Sequence, residues 1–305
     1  MSKKKKIILT IVSVVVVLLG AAGVYGFNIY QSLKETTETM HTPVDRVQPE
    51  KRPAKVTLEK KDPFSVLLMG VDKREYDSGR SDTMVVLTVN PNSNSVKMLS
   101  IPRDTRVEIV GRDMEDKINH AYAYGGVAMS MATVENFLDI PIDYYIEINM
   151  EGFKEIVDAV GGVEVHNAFT FSYEGYTFEE GTIQLTGEEA LAYSRMRYED
   201  PNGDFGRQQR QRQIISAIIK KGASLSSLWN YSNIFDALGA NVKTNLKFEE
   251  MVDIQQNYGS AAKNIEQYQI DGSGQIMDDD IYYYIVSDEE RTRLQDIFQQ
   301  HLELE

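Results

Sequence analysis

The chain has 305 residues, no cysteine and a formal charge of −14. Disulfides, thiolate metal sites and a cysteine nucleophile are therefore excluded, and the acidic balance argues against a nucleic-acid partner, which would call for a basic face. The length is enough for a single large domain with a sizeable core.

Lys3 to Lys6 precede an apolar run from Ile7 to Phe27. As a helix this run rises about 30 Å, one bilayer core, and it exceeds the roughly 7–15-residue core of a cleaved signal peptide. The lysines on its N-terminal side predict a cytoplasmic tail over 1–6, a transmembrane signal-anchor over 7–29 and the bulk of the chain outside the cytoplasm, a single-pass type II arrangement. Residues 30–62 are polar and carry Pro43, Pro49 and Pro53, which reads as an extracellular stalk.

The folded domain is predicted over 63–305. Strands are expected at Phe64–Met69, Thr83–Val89, Val96–Ile101 and Thr105–Val110. Helical patterns follow over Lys117–Tyr124 and Val127–Leu138, then a strand at Tyr144–Ile148, a helix at Gly152–Val160 and a strand at Val163–Val165. Thr186 and Glu189 form a capping box for a helix leading into Tyr193. Further helices are expected over Gly206–Lys221, Leu228–Leu238 and Phe248–Tyr258, with a strand at Glu266–Ile270 and a closing helix opened by Ser287 and Glu290. Buried strands alternating with amphipathic helices predict an α/β domain with a mixed central sheet flanked by helices.

The stretch Tyr193–Gln213 concentrates Arg195, Arg197, Arg207, Arg210 and Arg212 in an acidic chain. Arginine presents a permanently charged fork that matches phosphate and carboxylate oxygens in pairs. On an extended segment Arg195 and Arg197 point to one side, and Asp200-Pro201-Asn202-Gly203-Asp204 then reverses the chain. On the following helix Arg207, Gln211, Ile214 and Ile218 fall in line, so an otherwise apolar stripe begins with polar groups aimed inwards. A diphosphate seat at the helix start is one reading; a solvated basic turn paired to nearby acids is the other.

Smaller constellations precede it. Asp72 closes the first strand and Arg80-Ser81-Asp82-Thr83 opens the second, which puts two carboxylates at one rim if the strands are neighbours. Such a pair suits Mg²⁺, and equally suits ordinary turn formation. In Ser100-Ile101-Pro102-Arg103-Asp104 the proline fixes the direction in which Arg103 emerges. Lys117-Ile118-Asn119-His120-Ala121-Tyr122 with Gly125-Gly126 offers a lysine, a histidine and a hinge; His120 is either an acid/base group or a structural helix residue. No His-Glu-x-x-His, Gly-x-Ser-x-Gly or Walker-type loop occurs.

Taken together, the strand ending at Asp72, Arg80-Ser-Asp82-Thr, Ile-Pro-Arg103-Asp104, Lys117-Ile-Asn-His-Ala-Tyr and the whole Tyr193–Gln213 stretch resemble the LytR-CpsA-Psr family of cell-envelope glycopolymer transferases, from about Phe64 to the C-terminus. The likeness is greatest to members that attach wall teichoic acid in Gram-positive bacteria. It implies an enzyme that moves a glycopolymer, as a phosphosugar, from a polyprenyl-diphosphate carrier to a muramic acid hydroxyl of peptidoglycan, with the prenyl chain in an apolar tunnel between sheet and helices. It also implies Mg²⁺ on Asp72 and Asp82. Arg80, Arg103, Arg195, Arg197, Arg207, Arg210 and Gln211 become diphosphate contacts, with Lys117 and Asp204 as helpers. Asp82 or Asp104 is the expected base beside Arg103. A polyprenyl-diphosphate hydrolase and a non-catalytic envelope regulator that binds anionic polymer are the competing readings.

Overall fold

The computed structural model describes residues 27–28, 30–46, 51–52, 54–72, 79–224 and 239–304. The expected tail over 1–6, nearly all of the expected span over 7–29 and the expected helix over 228–238 lie outside them. No helix among the described residues is long and apolar enough to cross a membrane.

Helix α1 (residues 30–40) opens the described chain. Strands β1 (Phe64–Asp72), β2 (Arg80–Asn90) and β3 (Ser95–Ile101) follow, then β4 (Arg106–Ile109) and β5 (Met114–Lys117). Next come α2 (His120–Leu138), β6 (Tyr144–Ile148), α3 (Met150–Ala159), β7 (Val163–Asn167), β8 (Phe171–Tyr173), β9 (Tyr176–Phe178) and β10 (Gly181–Leu185). The C-terminal half holds α4 (Gly187–Arg195), α5 (Asp204–Ser224), β11 (Val242–Thr244), α6 (Phe248–Tyr258), β12 (Ile265–Gln269), β13 (Ser273–Ile276), β14 (Tyr282–Ile285) and α7 (Asp288–His301).

Six strands form the central sheet in the order β11-β6-β1-β2-β3-β12. The sheet is mixed: β1 runs antiparallel to β2 and parallel to β6, and β3 runs antiparallel to β2 and parallel to β12. Strand alternation splits β2 between two cores. Met84 and Val86 pack with Met131 and Phe137 of α2 and Leu294 and Phe298 of α7 on one face. Val85 and Leu87 pack with Ile215 and Ile219 of α5 and Met251 and Ile254 of α6 on the other. Met84, Val86, Met131, Leu294 and Phe298, which are fully buried, each contribute about 1.5–3 kcal/mol, and the partly buried Ile215, Ile219, Met251 and Ile254 less. A third core joins α4 and the far side of α5 to the small β7–β10 sheets through Phe171, Phe178, Tyr193 and Ile214.

Two expectations are corrected here. The segment after the expected anchor is no free stalk, because Leu33 and Met40 of α1 are buried and His41 bridges to Thr244. Arg46 then pairs with Glu135, Arg52 with Asp143, and Leu58 enters the second core. Lys117 belongs to β5, paired opposite Arg106, so the helix begins at His120. That helix bends at Gly125 and Gly126, whose backbone is non-helical. Gly126 has a φ of 62°, which a side chain would disfavour.

Candidate functional site

The site forms at the rim where β1 ends, β2 begins and β3 gives way to Pro102. The pairing of Gly70 with Thr83 and of Val71 with Ser81 skips Asp82, which is the extra residue of a β-bulge. A bulge bends the strand and re-aims its side chain. Asp72 lies opposite Arg80 in the same register, so both aspartates occupy this rim. The side chain of Arg80 lies outside the described ones.

The turn after β3 is pinned on three sides. Pro102 O accepts from Thr105 N at 3.0 Å and from Thr105 Oγ1 at 2.6 Å. Asn119 N donates to Arg103 O at 3.3 Å, and Tyr284 N donates to Asp104 O at 2.8 Å. With the backbone held, Arg103 Nη1 donates to Asp82 Oδ1 at 2.9 Å, and its Nε lies 3.7 Å from Asp104 Oδ2. Lys117 Nζ donates to Asp104 Oδ1 at 2.7 Å.

Helix α5 supplies the opposite wall, and its entry is built by the turn expected from Asp200 to Asp204. Asp200 Oδ1 accepts from Asn202 N at 2.7 Å, and Asp200 O accepts from Gly203 N at 2.9 Å. A Cβ on Gly206 would stand 2.0 Å from Asp200 Oδ2, so only glycine admits this approach. Arg207 Nη2 lies 2.8 Å from Asp204 Oδ1, and the Arg207 side chain is only 12 % exposed. Its Nε has no partner. Asp82, Ser100, Arg103, Arg207, Gln208 and Gln211 line one small cavity. Side chains more than a hundred positions apart in the chain therefore meet.

Charges inside this mouth act on one another. Burial works against the Arg103 cation, but Asp82, then Asp104 and Asp204, outweigh it and hold its pKa above the ordinary value. Arg207 is pushed the other way: burial lowers its pKa, Asp204 opposes, and Arg103 and Arg197 add repulsion. Arg207 is paired to Asp204 yet keeps a buried, unpartnered Nε in the field of two further arginines, an arrangement that suits an incoming anion.

The other expected residues divide. Arg197 lies within the field of Arg207 and also stands over the Tyr198 ring, 5.2 Å from its centre. Arg195 is the last residue of α4 and not part of an extended segment, so its side chain departs from that of Arg197 and pairs with Glu174 at 3.0 Å. Gln211 Nε2 donates weakly to Ser194 O at 3.5 Å while lining the cavity. Arg210 corrects the expectation of a diphosphate contact. It is buried, with Nε donating to Tyr193 O at 3.0 Å, Nη1 to Asp200 and Nη2 to Met196 O. Each of its three guanidinium nitrogens is engaged in holding the start of α5 to the end of α4 and the turn between them. His120 Nδ1 lies 2.8 Å from Asp116 Oδ2, which also accepts from Tyr124 OH at 2.6 Å, so the ring is oriented by a carboxylate beside Lys117.

The hairpin β13–β14 was not anticipated, yet it walls one side of the mouth. Lys117 Nζ stands 5.9 Å from the Tyr283 ring centre, and Phe205 packs edge-on against Tyr284. Burial raises the Tyr282 pKa and Asp104 and Asp204 raise it further, so this phenol stands in the field of the site. The signal was present as the Tyr-Tyr-Tyr-Ile run, too short to assign by periodicity.

No cluster of three or more histidine, aspartate or glutamate side chains arranged for a metal occurs among the described residues. The donors that stand at the rim, Asp72 and Asp82, are hard carboxylate oxygens. Their chemistry fits Mg²⁺, which takes one or two carboxylates and completes its shell with water and phosphate.

A mixed α/β sheet whose rim gathers arginines, a lysine and aspartates around a small cavity has the chemistry that suits an anionic, phosphate-bearing ligand. The chain belongs to the LytR_cpsA_psr family, which matches residues 27–300. It is 50 % identical over 301 residues, 99 % of each chain, to the polyisoprenyl-teichoic acid–peptidoglycan teichoic acid transferase TagU of Bacillus mycoides. The crystal structure of B. subtilis TagU covers 80 % of this chain and 99 % of its own at 48 % identity and a TM-score of 0.65. A structure of TagT bound to LIIa-WTA covers 87 % of this chain and all of its own, at 35 % identity and a TM-score of 0.74.

Proposed function

We propose that this chain transfers teichoic acid, as a phosphosugar, from a polyprenyl-diphosphate carrier to a muramic acid hydroxyl of peptidoglycan. The observation that carries the proposal is the meeting of Arg103, Arg207 and Asp82 in one cavity, with Arg207 buried and its Nε unpartnered. Phosphoryl transfer needs charge stabilised on the migrating group and on the departing phosphate more than it needs covalent chemistry. Family membership and the likeness to transferases of teichoic acid to peptidoglycan support the same reading.

Arg103, Arg197 and Arg207 hold the diphosphate oxygens, and Lys117 fixes Asp104 beside them. Asp82 or Asp104 accepts the proton of the attacking hydroxyl. Asp72 and Asp82 would hold Mg²⁺, which would supply charge neutralisation to the phosphate oxygens. The apolar contact between α5 and the sheet, with Leu87, Ile215 and Ile219, takes the prenyl chain. In this reading the enzyme works at the outer face of the cell membrane of a Gram-positive envelope, anchored by residues 7–29.

The test supplies a lipid-diphosphate glycan with and without peptidoglycan fragments. Polymer-linked fragments are the expected product. Free phosphorylated glycan in both reactions indicates a hydrolase and overturns the transferase; no turnover, with polymer still bound, indicates a regulator and overturns the enzyme.

A further inference from the structure

Behind the mouth, the contact between α5 and the sheet is polar along one side. Strand β3 turns Val96 and Met98 towards the second core, and Ser100 follows at the same alternation, one step inside the turn that carries Arg103. Helix α5 sets Gln208 and Arg212 four residues apart, so they share a face one turn from each other. Arg212 is only 5 % exposed. Its Nε reaches Gln267 Oε1 at 3.4 Å, and Gln267 Nε2 donates to Ser216 Oγ at 3.1 Å. Nothing else compensates it: Arg212 Nη1 has no hydrogen-bond partner, and no carboxylate pairs with it among the described residues. Burial alone pushes its pKa down. Ser100 Oγ, which can donate, is buried and unpartnered too.

A buried guanidinium without a counter-ion is costly, and a helix paired to a sheet has no structural need of one. Arg210, two positions earlier, shows the structural alternative, with Asp200 and two carbonyls consuming its donors. Arg212 lacks all of that. Its free donor, with the Ser100 hydroxyl ahead of it, suits a tetrahedral oxyanion that arrives from the mouth.

We propose that Arg212, with the Ser100 hydroxyl, forms an inner phosphoryl-binding position behind the Arg103–Arg207 mouth. The proposal rests on the phosphate-handling reading above and adds to it a binding residue that would hold the lipid-proximal phosphate of a diphosphate. The same chemistry would accept inorganic diphosphate. The outer arginines then grip the phosphate that migrates, and the inner position grips the one that leaves.

The experiment uses the full chain in detergent micelles, titrated with farnesyl diphosphate and with inorganic diphosphate, alongside its melting temperature without ligand. Arg212→Gln is expected to bind at least tenfold more weakly while melting at or above the wild-type temperature, since an uncompensated buried charge has been removed. Loss towards both probes means that any phosphoryl group reaches the inner position. Loss towards farnesyl diphosphate alone means that only a lipid-carried one does. A lower melting temperature with unchanged affinity makes Arg212 a structural residue and overturns the proposal. Should the glutamine variant not fold, Arg212→Lys decides: it keeps the charge but loses the planar fork. It is expected to fold and to bind about tenfold more weakly, and wild-type affinity overturns the proposal. Wild-type protein that binds neither probe, or Arg103→Ala that binds as wild type, refutes the underlying phosphate site instead.

Discussion

Replacing Arg210 with methionine separates a scaffold arginine from a substrate arginine. The Arg210 and Asp200 side chains are 6 % and 2 % exposed and pair directly, and Arg210 also serves Tyr193 O and Met196 O. Methionine fills much of the same space but strands the Asp200 carboxylate and two carbonyls. Breaking a buried pair in this way costs about 3–5 kcal/mol. For a domain of this size that is roughly a 10 °C fall in melting temperature. Asp200→Asn in the same chain removes the stranded charge and should restore part of the loss, so the two changes combine less than additively. Urea unfolding of the wild type, both single variants and the double variant measures the coupling. An Arg210→Met protein as stable as wild type, but defective in binding diphosphate, would show that Arg210 is a ligand contact after all.

Gly206→Ala drives a Cβ to 2.0 Å from Asp200 Oδ2 and should destabilise through the same pair, adding little further loss in an Arg210→Met background. Full additivity in urea unfolding would separate the two effects. His301 predicts a pH dependence. Its ring is buried, with Nδ1 2.7 Å from Thr88 Oγ1 and Nε2 2.9 Å from Ser95 Oγ, and burial, helped by Lys97, pushes its pKa down to about 4. The folded value lies below the unfolded one, near 6.5, so the neutral ring's contribution is whole above pH 6.5 and is lost as pH falls towards 4. The loss amounts to about 2–3 kcal/mol. His301→Gln should flatten stability between pH 6.5 and 5, and an unchanged slope in urea midpoints would refute the assignment. Chelating divalent cations should suppress transfer and added Mg²⁺ should restore it; transfer indifferent to chelator removes the metal from Asp72 and Asp82.

Much of the architecture was legible because core strands and helices obey different periods. Phe64–Met69, Thr83–Val89 and Val96–Ile101 are all strands, and the pair Thr186 and Glu189 caps α4 as its spacing implies. What escaped was short or decided by tertiary contact. Helix 30–40 is polar on most positions, and only the docking of Leu33 and Met40 reveals its buried side. Lys117 opens a helical pattern in the sequence, yet pairing with Arg106 claims it for a strand. On α5 the pattern of Arg207 and Gln211 pointed inwards correctly, but helix faces alone could not distinguish Arg210, consumed by Asp200, from Arg207, whose Nε is unpartnered. Two arginines of equal propensity part company through partners that lie elsewhere in the chain.

The most direct measurement is the transfer rate, from a lipid-diphosphate glycan to peptidoglycan fragments, of Arg103→Ala and Arg207→Ala compared with the wild type under saturating substrate. In the proposed mechanism each arginine stabilises charge that develops in the transition state, so each loss should slow transfer about 10²-fold or more. Variants that fold normally and transfer at the wild-type rate would contradict the account.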